Sequence, residues 1–112
     1  MSCSVNCSGD CTALCAGASR CDIICGDRCN VSCELVKESC TAVVGALSHV
    51  NCEGAADCTV TCRGSCEVAC ARGHCRMLCA PGEDCDMNCG GSGAAENPLV
   101  CPDGSQVCGR AC

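Results

Sequence analysis

The stretch Cys58-Thr59-Val60-Thr61-Cys62-Arg63-Gly64-Ser65-Cys66-Glu67-Val68-Ala69-Cys70 holds two copies of one five-residue unit, C-x-h-x-C, where h is apolar, separated by a short glycine-containing gap. The same unit recurs at 3–7, 11–15, 21–25, 29–33, 75–79 and 85–89, with Val5, Ala13, Ile23, Val31, Met77 and Met87 at its centre. In the middle of the chain, Cys40-Thr41-Ala42-Val43-Val44 and Ser48-His49-Val50-Asn51-Cys52 are the same two units, with the inner cysteine of each replaced. Short and long gaps alternate, so two units make one repeat, and five repeats start at Cys3, Cys21, Cys40, Cys58 and Cys75. A fixed period of roughly eighteen residues is the signature of a stacked-coil architecture.

Spacing of four also suits one face of a helix. Glycines at 9, 17, 26, 45, 54, 64, 73 and 82 would interrupt such helices repeatedly, and the bracketed triplets favour Val, Ile and Thr. Strand alternation then puts Cys, h and Cys on one face of each unit. A flat meander would leave that face uncovered, whereas a coil folded back on itself covers its own interior. The expected fold is all-β: a thin two-sheet parallel β-solenoid of five coils, filled by disulfides and small apolar residues. Within a flat coil the first cysteine faces the fourth and the second faces the third. The expected bridges are therefore Cys3 with Cys15, Cys7 with Cys11, Cys21 with Cys33, Cys25 with Cys29, Cys40 with Cys52, Cys58 with Cys70, Cys62 with Cys66, Cys75 with Cys89, and Cys79 with Cys85. Bridged Cα atoms lie much closer than the ~10 Å between ordinary packed sheets, which leaves no room for a ring. The chain has no Phe, Tyr or Trp. In the third coil the lost cysteines, at Val44 and Ser48, are the facing second and third positions.

The 112 residues include 21 cysteines, a proportion that marks a disulfide scaffold of one domain. Small core residues bury too little surface to offset chain entropy, so covalent staples are required. Such chains stay oxidised outside the reducing cytosol, so the expected location is secreted, periplasmic or cell-surface, with an export signal absent from this sequence. A net charge of −6 without aromatics excludes nucleic acid as a partner, and no segment can span a membrane. Residues 1–89 form the repeats, 90–96 a Gly-rich flexible linker, and 97–112 a cysteine-containing cap or tail with Cys101, Cys108 and Cys112. The first coil looks uncapped, which leaves an open sheet edge. An odd cysteine count leaves one free, joined to another molecule, or bonded to something outside this sequence.

No catalytic, cofactor or metal site is expected. Thiolate metal sites favour C-x-C or C-x-x-C spacing, and neither occurs. Ser48 points inward and His49 outward, so they form no triad with the acids. Gly26-Asp27 and Glu83-Asp84 resemble acidic calcium turns, but the nine-residue calcium repeat is missing. The outward residues stack in columns. On one sheet these are Ser4, Asp22, Thr41, Thr59, Arg76 and Asn6, Ile24, Val43, Thr61, Leu78; on the other, Thr12, Asn30, His49, Glu67, Asp86 and Leu14, Ser32, Asn51, Ala69, Asn88. Ile24, Val43, Thr61 and Leu78 make a mildly apolar surface stripe.

The units at 58–62 and 66–70, with the ending Cys101-Pro102-Asp103-Gly104-Ser105-Gln106-Val107-Cys108-Gly109-Arg110-Ala111-Cys112, resemble the secreted cysteine-rich C-x-V-x-C repeat proteins of myxobacteria-like bacteria. That resemblance implies an exported envelope or extracellular protein. The architecture is also similar to the disulfide-laced solenoid antifreeze proteins of beetles, but their ranked Thr-x-Thr is reduced here to Thr59 and Thr61, so that activity does not carry over. The expected function is non-enzymatic: a rigid structural or interaction element whose partner is a second copy, in an oligomer or filament, or an envelope component. Ice binding and thiolate metal binding or storage are the alternatives.

Overall fold

A computed structural model describes residues 2–17, 19–35, 38–52, 57–70, 74–89 and 99–108. It is an all-β solenoid. Strands β1 (Ser2–Gly9), β3 (Arg20–Asp27), β5 (Ser39–Val44), β7 (Asp57–Cys62) and β9 (His74–Cys79) stack in parallel as one sheet. Strands β2 (Thr12–Ala16), β4 (Asn30–Leu35), β6 (Ser48–Asn51), β8 (Cys66–Ala69) and β10 (Cys85–Asn88) stack in parallel as the other. Each repeat contributes one strand to each sheet. Register is set by the repeat itself: Cys21, Cys40, Cys58 and Cys75 pair in succession, as do Ile23, Ala42, Val60 and Met77. A slip of one residue would turn every cysteine outward.

Burial follows the period of two. β5 and β7 bury each cysteine and each central apolar residue while the residues between them face out. The two sheets meet across an interior only one layer of side chains deep. Bridged Cα atoms in the repeats are 6.1 to 6.5 Å apart, which accounts for the absence of aromatic rings.

The disulfide connectivity corrects five of the nine expected pairs. The inner bridges are Cys7–Cys11, Cys25–Cys29, Cys62–Cys66 and Cys79–Cys85. The outer cysteines instead join each coil to the next: Cys15–Cys21, Cys33–Cys40, Cys52–Cys58 and Cys70–Cys75. Cys3 with Cys15, Cys21 with Cys33, Cys40 with Cys52, Cys58 with Cys70, and Cys75 with Cys89 are thus not bonded pairs here; the Cys3 side chain lies outside the described residues. The reason is the climb of the helix. A flat coil would return its fourth cysteine to its first, but the chain rises by about one strand spacing, ~4.8 Å, per coil. Both the first cysteine of the same coil and that of the next come within reach, and the local partner closes the shorter loop at lower entropic cost. Every bridge within the repeats therefore clamps the neck of one turn. With separations of 4 to 7 residues, each is worth on the order of 2 kcal/mol in the chain-entropy model, rather than about 3 for thirteen-residue loops.

The short turns stack as tightly as the strands. Asp10 N–H donates to Asp27 O, Arg28 N–H to Ala46 O, and Leu47 N–H to Ser65 O, at 2.7 to 2.9 Å. This ladder requires glycine at 26: a Cβ there would lie 1.9 Å from Ser8 O. It also holds Asp10, Arg28 and Leu47 at φ of 52°, 56° and 59°, in the left-handed region.

Past the repeats, β11 (Leu99–Val100) and β12 (Gln106–Cys108) extend the first sheet, antiparallel, beyond β9. Cys108 lies opposite Cys75 and bonds Cys89. It thus occupies the position that the first cysteine of a sixth coil would hold. The expected linker at 90–96 and Cys112 lie outside the described residues; Cys101 is disulfide-bonded.

The third coil lacks its inner bridge. Val44 and Ser48 stand in register with Cys62 and Cys66, and both are buried. Ser48 Oγ accepts a hydrogen bond from Cys29 N–H at 3.2 Å, so the hydroxyl is not stranded. Replacing both residues by cysteine adds about 2 kcal/mol of loop constraint and gives up about 1 kcal/mol of hydrogen bonding. The double variant is expected to form one further bridge and unfold at higher denaturant; Val44→Cys alone yields an alkylatable thiol. A double variant with two free thiols would show the facing register to be wrong.

A second pair of variants tests the turn ladder. Gly26→Ala is expected to cost about 1–3 kcal/mol, because backbone must move to admit the methyl group. Leu47→Gly, at an exposed left-handed position, is expected to gain about 0.5–1 kcal/mol. Denaturant unfolding without reductant measures both.

Candidate functional site

With the interior occupied by sulfur and methyl groups, the groups able to meet a partner lie on two sheet faces and at the two ends. On the first sheet, the register brings Asn6, Ile24, Val43, Thr61 and Leu78 into one column and Ser4, Asp22, Thr41, Thr59 and Arg76 into the next. The stripe read from the sequence is therefore one contiguous ladder, with Ile24 exposed and Val43, Thr61 and Leu78 half-buried. Asp22 and Arg76 bracket the Thr pair of the neighbouring column, so no unbroken hydroxyl lattice forms.

The second sheet carries a feature that pattern reading missed. Its outer face is a shallow trough of about 610 Å³, running from Thr12 and Leu14 past Asn30, His49 and Asn51 to Glu67 and Asp86. Its columns are those expected, Thr12–Asn30–His49–Glu67–Asp86 and Leu14–Ser32–Asn51–Ala69–Asn88. Alternation carries no signal for the concavity of an outer face. His49 Nδ1 lies 3.0 Å from Glu67 Oε2, both exposed, and among the described residues no Lys or Arg lines the trough. Ser48, directly before His49, is buried and engaged with Cys29, so the two do not cooperate.

At the N-terminal end, β1 and β2 are the outermost strands of their sheets, and among the described residues no strand pairs with their outer edges. The core beneath is only partly covered there: Val5, Cys7 and Cys11 are half-buried, whereas their counterparts Ile23, Cys25 and Cys29 are buried. At the other end, β12 covers β9 and the tail is fastened electrostatically. Arg76 Nη2 meets Asp103 Oδ2 at 2.9 Å, while Ser105 donates to Asp103 Oδ1 from its hydroxyl at 2.6 Å and its N–H at 3.0 Å.

The Ser105 hydrogen bonds, with Arg76 adding to them, hold the Asp103 carboxyl below its ordinary range, and the Arg28 fork does the same for Asp10. A depressed folded pKa contributes stability that is present above the ordinary carboxylate value and is lost as pH falls through the depressed one. Both groups are exposed, so the effect is local. Three groups of sulfurs approach one another in the interior, Cys7 with Cys11 and Cys25, Cys33 with Cys40 and Cys52, and Cys62 with Cys66 and Cys85. All nine of these cysteines are disulfide-bonded, so they present no thiolates for a metal.

Acidification is thus expected to loosen the turn around Asp103 before the repeats, with the tail still tied by Cys89–Cys108. The Asp103 carboxyl resonance should titrate below that of an unpaired aspartate, and Ser105→Ala should move it upward. An Asp103 that titrates at the ordinary value in the parent chain would refute the anchoring role.

No helix among the described residues is long and apolar enough to cross a membrane. The many disulfides fit an extracellular or otherwise oxidising environment. No family model, curated protein or solved structure matches this chain, so neither the bacterial repeat proteins nor the beetle antifreeze proteins gain support as its family; what stands is a cysteine-rich, disulfide-laced β-solenoid.

Proposed function

We propose that the chain is a non-enzymatic, exported structural element that associates with further copies of itself through its N-terminal end. The observation that carries this reading is the asymmetry of the ends. The C-terminal edge of the first sheet is covered by β12 and tied by Cys89–Cys108. The N-terminal edges of β1 and β2 face outward over the half-buried Val5, Cys7 and Cys11. Unpaired edge strands are templates for pairing with another chain, and a disulfide-clamped coil presents them in a fixed shape. An envelope component with a free strand could occupy the same edge.

A repeated, unbroken lattice of hydroxyl and methyl groups would favour ice binding, but Asp22 and Arg76 stand in the Thr41–Thr59 column. Metal storage would need thiolates, whereas nineteen cysteines are held in disulfides. Catalysis would need a nucleophile beside a base, and Ser48 and His49 lie on opposite faces of β6.

Light scattering without reductant is expected to show concentration-dependent association. Ser4→Lys with Asn6→Lys, which charges the edge strand from outside the core, is expected to reduce it to monomer with the strand signal unchanged. A parent chain that is monomeric up to millimolar concentration, or a charged variant that associates equally well, would sink this reading; thermal hysteresis by that monomer would put ice binding in its place.

A further inference from the structure

Edge strands that stay unpaired are commonly blunted by charge, proline or brevity. The two strands at the N-terminal end carry none of these devices: β1 and β2, eight and five residues long, contain no Asp, Glu, Lys, Arg or Pro. Charge is not scarce elsewhere, since the chain has twenty charged side chains, thirteen acids and seven bases. At the other end β10 carries Asp86, and β11 is two residues long, with Pro98 before it and Pro102 close after. The core is also least covered beside β1, where Val5 is half-buried while Ile23, Val60 and Met77 in the same sheet are buried.

We propose that two copies join head to head as a closed pair, β1 of each lying antiparallel to β1 of the other about a two-fold axis. This rests on the association proposed above and adds which end of the second copy is met. A strand facing its own copy sets like charges against each other wherever it has them, so a charge-free strand is the one suited to self-pairing. A two-fold axis brings one end of the stack against the same end of a second copy, and it reverses the strand direction. An axis perpendicular to the sheets keeps inward residues inward. Full overlap of β1 with itself puts that axis at Val5, so Val5 is covered by the same residue of the other copy, and Ser4 lies opposite Asn6 on the outer face. A slip of one residue would turn Ser4 or Asn6 toward the core.

The climb of the chain makes β1 the endmost strand, so the two β1 strands meet first and the β2 edges face each other across the same axis. A head-to-tail joint would instead set β1 against the two residues of β11 and leave most of its backbone unpaired. The head-to-head pair therefore uses the long neutral edge of both copies and leaves the ends with β10 and β11 outward, which stops growth at two.

The test uses the full chain without reductant, in an analytical ultracentrifuge and by native mass spectrometry. The parent is expected to run as monomer and dimer with nothing larger. Ser4→Lys with Asn6→Lys, and separately Ser4→Glu with Asn6→Glu, are each expected to weaken the dimer roughly tenfold or more, because both pairs of opposed side chains then carry like charge. Mixing the two variants is expected to restore a dimer that contains one copy of each. Paired charges on Leu99→Lys with Val100→Lys, at the far end, are expected to leave the parent dimer unchanged. Concentration-dependent growth beyond two copies, or a mixture that forms no mixed dimer, would overturn the head-to-head joint while leaving association itself standing. A dimer that survives denaturant until reductant is added is a covalent one and would overturn it as well. A parent that stays monomeric would overturn this joint together with the reading on which it rests.

Discussion

The separation of the two sheets is the constraint from which the rest of this structure follows. A disulfide holds its two Cα atoms at about 6 Å, and here that distance is imposed at nearly every reversal of the chain. Sheets so close admit one layer of side chains, so the central positions take Ala, Val, Ile or Met and nothing larger. They also admit no water and no ligand, which moves any partner to the outer faces or the ends. Turn glycines obey the same rule in another place, since coils that stack at strand spacing leave no room for a Cβ at Gly26.

Clamping each turn at its neck distributes stability differently from nesting bridges inside coils. Each loop is short and contributes modestly, but the bridges join coil to coil, so the covalent frame follows the chain along the stack. The third coil shows how far the arrangement can be relaxed. Val44 and Ser48 replace a bridge without opening a cavity large enough to disturb the register, and the serine hydroxyl is used by the Cys29 amide. The strand pairing and the bridges at the long turns on either side hold the coil in place.

Much of this was legible in the residues because disulfide spacing and strand alternation are local. The unit at 58–62 fixed which residues face inward, and the repeat fixed the register of every outward column from Ser4 to Asn88. The outer pairings were misread because a pattern in one dimension has no height: Cys40 is as well placed for Cys33 as for Cys52, and only the climb of the chain, with the shorter loop, decides between them. The trough over His49 and Glu67 was invisible for a related reason, since the shape of an outer face depends on several strands at once. The place of Cys108 could have been anticipated, because Cys89 lacked a following coil and a bridge at that turn needed a donor from the tail.

Inside, the rungs repeat except at Val44 and Ser48; outside, few do. The column Thr12, Asn30, His49, Glu67, Asp86 changes residue at each step, and Ser4, Asp22, Thr41, Thr59, Arg76 does so at every step but the one between its two threonines. A surface that recognised a periodic target would repeat along the stack, because the scaffold supplies the period without further cost. Interior residues are held to one choice by the narrow gap, so their regularity reports the fold alone. The irregular exterior therefore places the proposed association at an end rather than along the stack, and among the described residues the two ends differ: no strand pairs with the outer edges of β1 and β2 above the half-buried Cys7 and Cys11, whereas an antiparallel strand is locked by Cys89 and Asp103 at the other.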